Sequence, residues 1–208
     1  PPVPTPPGNP ITEPKRLLGK ILFWDEQVSN SGTVACATCH QMGVAGSDGR
    51  PQARNPGADN VFNTPDDKFG SLGVIRSDSD NDVKRDALFN VGTQVTGRSA
   101  PSPINAAYIP NMFWDGRALA QFTDPENGQV ALPAGGALES QAVGPPMSDV
   151  EMAHEGMNWA ALEAKLRQVR PLDLATNHPA DVAAGLADHP SYPELFRRAF
   201  GDPAITAR

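Results

Sequence analysis

Cys36, Ala37, Thr38, Cys39 and His40 stand in a row, and these are the two cysteines of a 208-residue chain. Two thiols three positions apart can tie the vinyl groups of a porphyrin to one turn of backbone. The imidazole beside the second thiol then reaches the iron. A thioredoxin-like redox pair is preceded by a strand in a βαβ setting, which this stretch lacks. A structural zinc site asks for further cysteines or histidines at ligand spacing, and there is no third cysteine. The same count excludes a disulfide framework. The motif therefore reads as the attachment point of one covalent haem c, with Cys36 and Cys39 binding the cofactor and His40 binding the metal. Haem is joined to such motifs after export, so a periplasmic location is expected.

The rest of the composition limits what surrounds that site. With 22 prolines and 19 glycines the chain is rich in turns. A net charge of -7 argues against a nucleic-acid surface. No apolar run approaches the roughly 20 residues that span a bilayer. Residues 1–12 read as a Pro-rich tail or linker. EPKRLLGKILFW carries Leu17, Leu18, Ile21 and Leu22 at helical spacing, with Pro14 in the first turn. From 43 to about 110, and again from 123 to 147, turn residues dominate and neither helical nor strand periodicity persists. Ser148 and Glu151 fit a capping box that predicts a helix start. Asn158 can cap a helix bearing Trp159, Leu162, Leu166 and Val169, and Ser191 with Glu194 opens a helix that Gly201 ends. The fold class expected is mainly α, a cytochrome c-like haem domain with long ordered loops. Residues 13–189 form that domain, with insertions at about 43–110 and 123–147.

The flanks of the motif carry more. LLGKILFWDEQVSNSGTVACATCHQ is similar to the opening of the bacterial di-haem cytochrome c peroxidases, L-G-x-x-L-F-x-D-x-x-L-S, with Val28 where Leu is usual. RSAPSPINAAYIPNMFWDGRA resembles R-N-x-P-T-x-x-N followed by F-W-D-G-R-A. LESQAVGPPMSDVEM resembles L-x-x-Q-A-x-x-P-x-x-x-x-E-M, and HPSYPELFRRAFGDPAIT resembles a block containing Y-x-x-L-F-x-x-A-F. The blocks come in family order. The resemblance implies an enzyme, a cytochrome c peroxidase-like haem oxidoreductase, of which this chain is the N-terminal, peroxide-reacting part. It implies that Glu151 moves a proton between the peroxide oxygens. Gln141 would help to hold the distal pocket, and Trp114 would lie on the path of electrons. It also implies a second haem on a missing domain or another chain, with residues 190–208 starting the inter-domain segment. Electrons would come from a small cytochrome c or a cupredoxin; a homodimer is an assembly to test.

Plainer roles stand beside these. Glu151 fits a capping position, Trp114 a packing residue, Gln141 a loop hydrogen bond, and Asp115 with Arg117 a turn ion pair. His154 or a methionine is the alternative sixth iron ligand. The family's distal histidine would fall in residues 89–94, which contain none, so an open distal face is expected. The family's calcium site is in doubt, because Ser99 replaces the Asn of the R-N-x-P block. Asp78, Asp80 and Asp82 read as a solvated acidic loop rather than an EF-hand. Two other functions fit the motif: a mono-haem electron-transfer cytochrome, or a di-haem oxidase or oxygenase acting on an organic or protein substrate.

Overall fold

The computed structural model describes residues 1–50 and 52–208. The chain is mainly α with few strands and forms two compact units. The first comprises Pro1–Leu22, Asn105–Pro145 and Trp159–Arg208, and the second Phe23–Ile104 and Pro146–Asn158.

The helix α1 (Glu13–Trp24), which belongs to the first unit as far as Leu22, follows the predicted periodicity to that residue and buries Leu18 and Ile21. Further α-helices are α3 (Ala137–Ala142), α4 (Trp159–Leu166), α5 (Ala180–Gly185) and α6 (Tyr192–Phe200). Gly185 lets α5 approach α1 closely, since a Cβ there would come within 2.3 Å of Leu17 Cδ2. Asp181 of α5 receives Lys20 Nζ at 2.8 Å and an Arg16 nitrogen at 2.9 Å. α6 begins as the sequence predicts, with Ser191 Oγ accepting the Glu194 amide, and ends at Gly201 with φ 81°. A two-stranded ladder, β3 (Phe122–Thr123) with β4 (Val130–Leu132), and α3 occupy the stretch read as loop. They are too short to leave a periodic signature. The Pro-rich segment is hydrogen-bonded to this unit: Asn9 donates to Glu139 and the Tyr108 hydroxyl to the Pro1 carbonyl, both at 2.9 Å.

The second unit contains α2 (Cys36–Cys39) and the ladder of β1 (Leu72–Ile75) with β2 (Thr93–Val95). The rest of its long turn-rich stretch is ordered by small closed loops. Isolated antiparallel bridges join Gln41 to Ser47, Asn55 to Lys68, Ser77 to Val83 and Asp86 to Asn90. Asn60, Asn63, Asn81 and Asn90 take up left-handed backbone inside them, the conformation Asn tolerates best after Gly. The helix expected at Ser148 is absent. The amides of Glu151, Met152 and Ala153 all turn back to the Ser148 carbonyl, closing one turn. The Val150 carbonyl is instead drawn to Val74 of β1 at 3.0 Å, which takes it out of a helical ladder.

Candidate functional site

The turn that bears the two thiols is shaped by Thr38. Its hydroxyl accepts the Ala35 amide at 2.9 Å, and the His40 amide closes on the Cys36 carbonyl at 2.9 Å. Cys36 and Cys39, three apart on one helical turn, share a face. The Cys39 thiol donates to the Leu72 carbonyl at 3.4 Å. Burial pushes the Cys36 thiol up to about 11. Burial and then the charge of Asp48 raise Cys39 as well. At neutral pH both sulfurs stay protonated, the reverse of the depressed thiols of dithiol redox centres.

His40 leaves the helix at φ −89°, ψ 73°. Its Nδ1 lies 3.0 Å from the Gly46 carbonyl. A carbonyl can only accept, so the proton sits on Nδ1 and the lone pair on Nε2, the tautomer a metal-binding imidazole needs. The loop that supplies this carbonyl is tightly closed. The Gly46 amide bonds to the Gln41 carbonyl at 2.8 Å, and the Gln41 amide to Ser47 at 3.2 Å. Ala45 and Gly46 are both left-handed, at φ 59° and 76°. Ser102 Oγ holds the Ala45 carbonyl at 2.5 Å, and a Cβ on Gly46 would come within 2.5 Å of Pro103 Cδ. Two thiols on one face and an oriented imidazole fit a covalent haem.

Asp48, just past this loop, has a side chain wholly withdrawn from solvent. Arg50 grips it through two nitrogens at 2.7 and 2.8 Å, and Arg54 adds a third contact at 3.2 Å. Hydrogen bonding to Arg50, helped by Ser71, holds its carboxyl down to about 2. The Asp48 amide bonds to the Ala100 carbonyl, and the Ala100 amide to Ser71 Oγ, so the loop is tied to the RSAPSP block and through it to the residue before β1. Ser71 escaped sequence reading because its partner is distant in the chain, and Asp48 because no motif marks it although its arginines are near.

Glu151 lies in the same unit as Cys36, Cys39 and His40, half-buried. Its charge reaches both thiols, raising each. Ser148 Oγ accepts its amide at 3.3 Å, so the capping contact forms even though the helix does not. His154 is buried with Nδ1 2.7 Å from the Glu155 carbonyl, and Met152 is buried at 2% exposure, whereas Met42 is half exposed. The acidic loop is self-satisfied: Asp78 accepts the amides of Asp80 and Asp82 and pairs with Lys84 at 2.6 Å. Among the described residues no group of three or more His, Cys, Asp or Glu is placed to hold a metal ion.

Gln141 and Trp114 belong to the first unit. Gln141 is on α3, half-buried. Trp114 is 86% exposed at the tip of a turn closed by the Met112 amide on the Ala118 carbonyl at 2.9 Å, so it is not the buried packing residue of the plainer reading. Arg117 pairs with Asp115 at 2.9 Å, as the plainer reading expected, and its guanidinium lies 3.6 Å from the Phe113 ring centre.

Two thiols on one helical turn followed by an oriented histidine carry the signature of the c-type haem class. More narrowly, the chain belongs to the di-haem cytochrome c peroxidase family, whose sequence profile matches residues 13–208. Methylamine utilization protein MauG of Methylophilus methylotrophus is 29% identical over 206 residues, 98% of this chain and 38% of that protein. Cytochrome c551 peroxidase of Pseudomonas aeruginosa is 30% identical over 145 residues, 70% of this chain and 27% of that protein. Cytochrome c peroxidase Ccp of Escherichia coli K12 is 27% identical over 165 residues, 79% of this chain and 24% of that protein. The chain thus spans between 24% and 38% of the length of these relatives. Among the described residues no helix is long and apolar enough to cross a membrane.

Proposed function

We propose that this chain is the peroxide-reacting, cytochrome c-like haem domain of a di-haem cytochrome c peroxidase, reducing hydrogen peroxide to water in the periplasm. The observation that carries this reading is the His40 Nδ1 contact to the Gly46 carbonyl beside two thiols on one helical turn. Cys36 and Cys39 hold one haem as thioethers, and His40 offers Nε2 to its iron. Bound there, the haem supplies an iron centre that accepts electrons and weakens an O–O bond. The Gly46 carbonyl keeps the imidazole proton on Nδ1, and the Asp48–Arg50 pair keeps the supporting loop closed. The Glu151 carboxylate takes the proton from one peroxide oxygen and returns it to the oxygen that leaves as water. Two electrons and two further protons complete the conversion of one hydrogen peroxide to two waters. The electrons come from a second haem on another domain or chain, fed by a small cytochrome c or cupredoxin. Gln141 shapes the distal side and Trp114 serves electron passage. Residues 89–94 offer no histidine, and Gln94 is engaged elsewhere, which supports an open distal face at rest.

A second reading is an oxidase acting on an organic or protein substrate. Of the three relatives above, the one aligned over most of this chain is named for methylamine utilization rather than as a peroxidase. Stopped-flow absorption of the full-length ferric protein with peroxide separates these readings from a plain electron carrier. The proposal expects a high-spin ferric spectrum that responds to peroxide, slowed by about 10²-fold in Glu151→Gln. A low-spin spectrum indifferent to peroxide would indicate an electron carrier. A Glu151→Gln rate equal to the parent's would remove Glu151 from proton transfer. Peroxide-dependent oxidation of an organic or protein substrate, in place of consumption of a reduced donor protein, would favour the oxidase.

A further inference from the structure

The backbone around Glu151 is held by an unusual feature of the β1–β2 ladder. Leu72 faces Val95 and Ile75 faces Thr93, so Gly73 and Val74 together oppose the single residue Gln94. Such a bulge bends its strand and re-aims the side chains beside it. Gln94 is 5% exposed, and its carboxamide nitrogen donates to the Asp149 carbonyl at 2.7 Å and the Val74 carbonyl at 3.3 Å. The Val74 amide takes the Val150 carbonyl at 3.0 Å, and the Asn30 amide takes the Met152 carbonyl at 2.8 Å. Residues 149, 150 and 152, on either side of Glu151, are therefore each fixed by their carbonyl. Gly73 is the steric condition for this: a Cβ there would lie 1.7 Å from the Val150 oxygen. Of the three holds, Gln94's is the one made by a side chain. A carboxamide has two N–H donors, so one buried group can serve two carbonyls, which neither a carboxylate nor a hydroxyl can match.

We propose that Gln94 is a positioning residue that sets Glu151 in place, a proposal that rests on the role given to Glu151 above. Gln94→Met keeps the length and bulk of the side chain and deletes both donors, so the Val74 and Asp149 carbonyls lose the carboxamide that holds them. Two measurements test it in the full-length protein. The first is hydrogen exchange at the Val74 amide, which should speed up by about tenfold as the clamp on residues 149–150 loosens. The second is the stretching band of carbon monoxide bound to the ferrous haem, which reports the field on the open face. That band should move in Gln94→Met in the direction it moves in Glu151→Gln, and Gln94→Met in a Glu151→Gln background should add nothing further. Unchanged Val74 exchange, an unmoved band in Gln94→Met, or equal and independent shifts from the two substitutions would overturn the proposal. A Glu151→Gln protein with an unmoved band and unimpaired peroxide reaction would instead overturn the role of Glu151, and the clamp would stand or fall on Val74 exchange. Gln94→Glu, with no donor when ionised, supplies the same readouts should the Met variant fail to fold.

Discussion

Two short loops of this chain are built alike and used in opposite senses. Residues 41–47 are closed by a bridge between Gln41 and Ser47, and residues 112–118 by a bridge between Met112 and Ala118. Each contains two left-handed residues: Ala45 and Gly46 in the first, Phe113 and Gly116 in the second. In the first loop the special backbone turns a carbonyl onto the His40 ring, and Pro103 fills the space a side chain on Gly46 would need. In the second it sends Trp114 outward, while Arg117 lies across the Phe113 ring. One device thus fixes a ring nitrogen by a backbone acceptor, and the other presents an indole to solvent. The difference lies in what backs each loop, not in its closure.

The sharpest way to break this comparison is to put the same methyl group into both loops. Gly46→Ala forces a left-handed Ala and a contact with Pro103, so chemical denaturation should report a loss of about 3 kcal/mol. Gly116→Ala, with its nearest foreign atom 3.9 Å away, carries the backbone term and should lose about 1 kcal/mol. Equal losses would mean that Pro103 does not back the first loop.

The next effect in size concerns the ion pair behind the first loop. The Asp48 carboxyl is held near 2 in the folded chain by Arg50, below the roughly 3.9 of an unfolded aspartate. A depressed carboxyl stabilises the fold above its unfolded value, and that stabilisation is lost as pH falls toward 2. Asp48→Asn should therefore be about 2 kcal/mol less stable at neutral pH, with the gap to the parent closing between about pH 4 and 2. A gap independent of pH would show that the carboxylate charge is not what holds the loop. The smallest effect is expected in the second loop. Arg117→Ala removes a partly exposed stack on Phe113, about 0.5–1 kcal/mol, and should lower the fluorescence anisotropy of the half-exposed and exposed tryptophans rather than shift their emission.

What could be read from the sequence follows the range of the forces involved. α1 and α6 were legible because their apolar spacing and their start signals, Pro14 for α1 and Ser191 for α6, lie within a few residues. The attachment motif was legible because the chemistry demands adjacent residues. Ser148 misled: its cap forms, but Val74 captures the Val150 carbonyl from another part of the chain, and the helix never propagates. β1 and β2 left no alternation because they are short and the bulge interrupts their register. Ser71 and Gln94 act through partners distant in sequence, and Asp48, though its arginines are near, carries no motif that distinguishes it from an ordinary acidic residue. Trp114 was picked out by resemblance; its exposure and the left-handed Phe113 just before it are announced by no residue preference.

The central claim is that Cys36, Cys39 and His40 form one haem-attachment site. Denaturing mass spectrometry of the purified protein, followed by proteolysis, tests it most directly. The account predicts that the peptide containing residues 36–40 carries the mass of one haem on both sulfurs and yields no thiol to alkylation. Two alkylatable thiols on that peptide, or a disulfide between them with no haem mass, would contradict it.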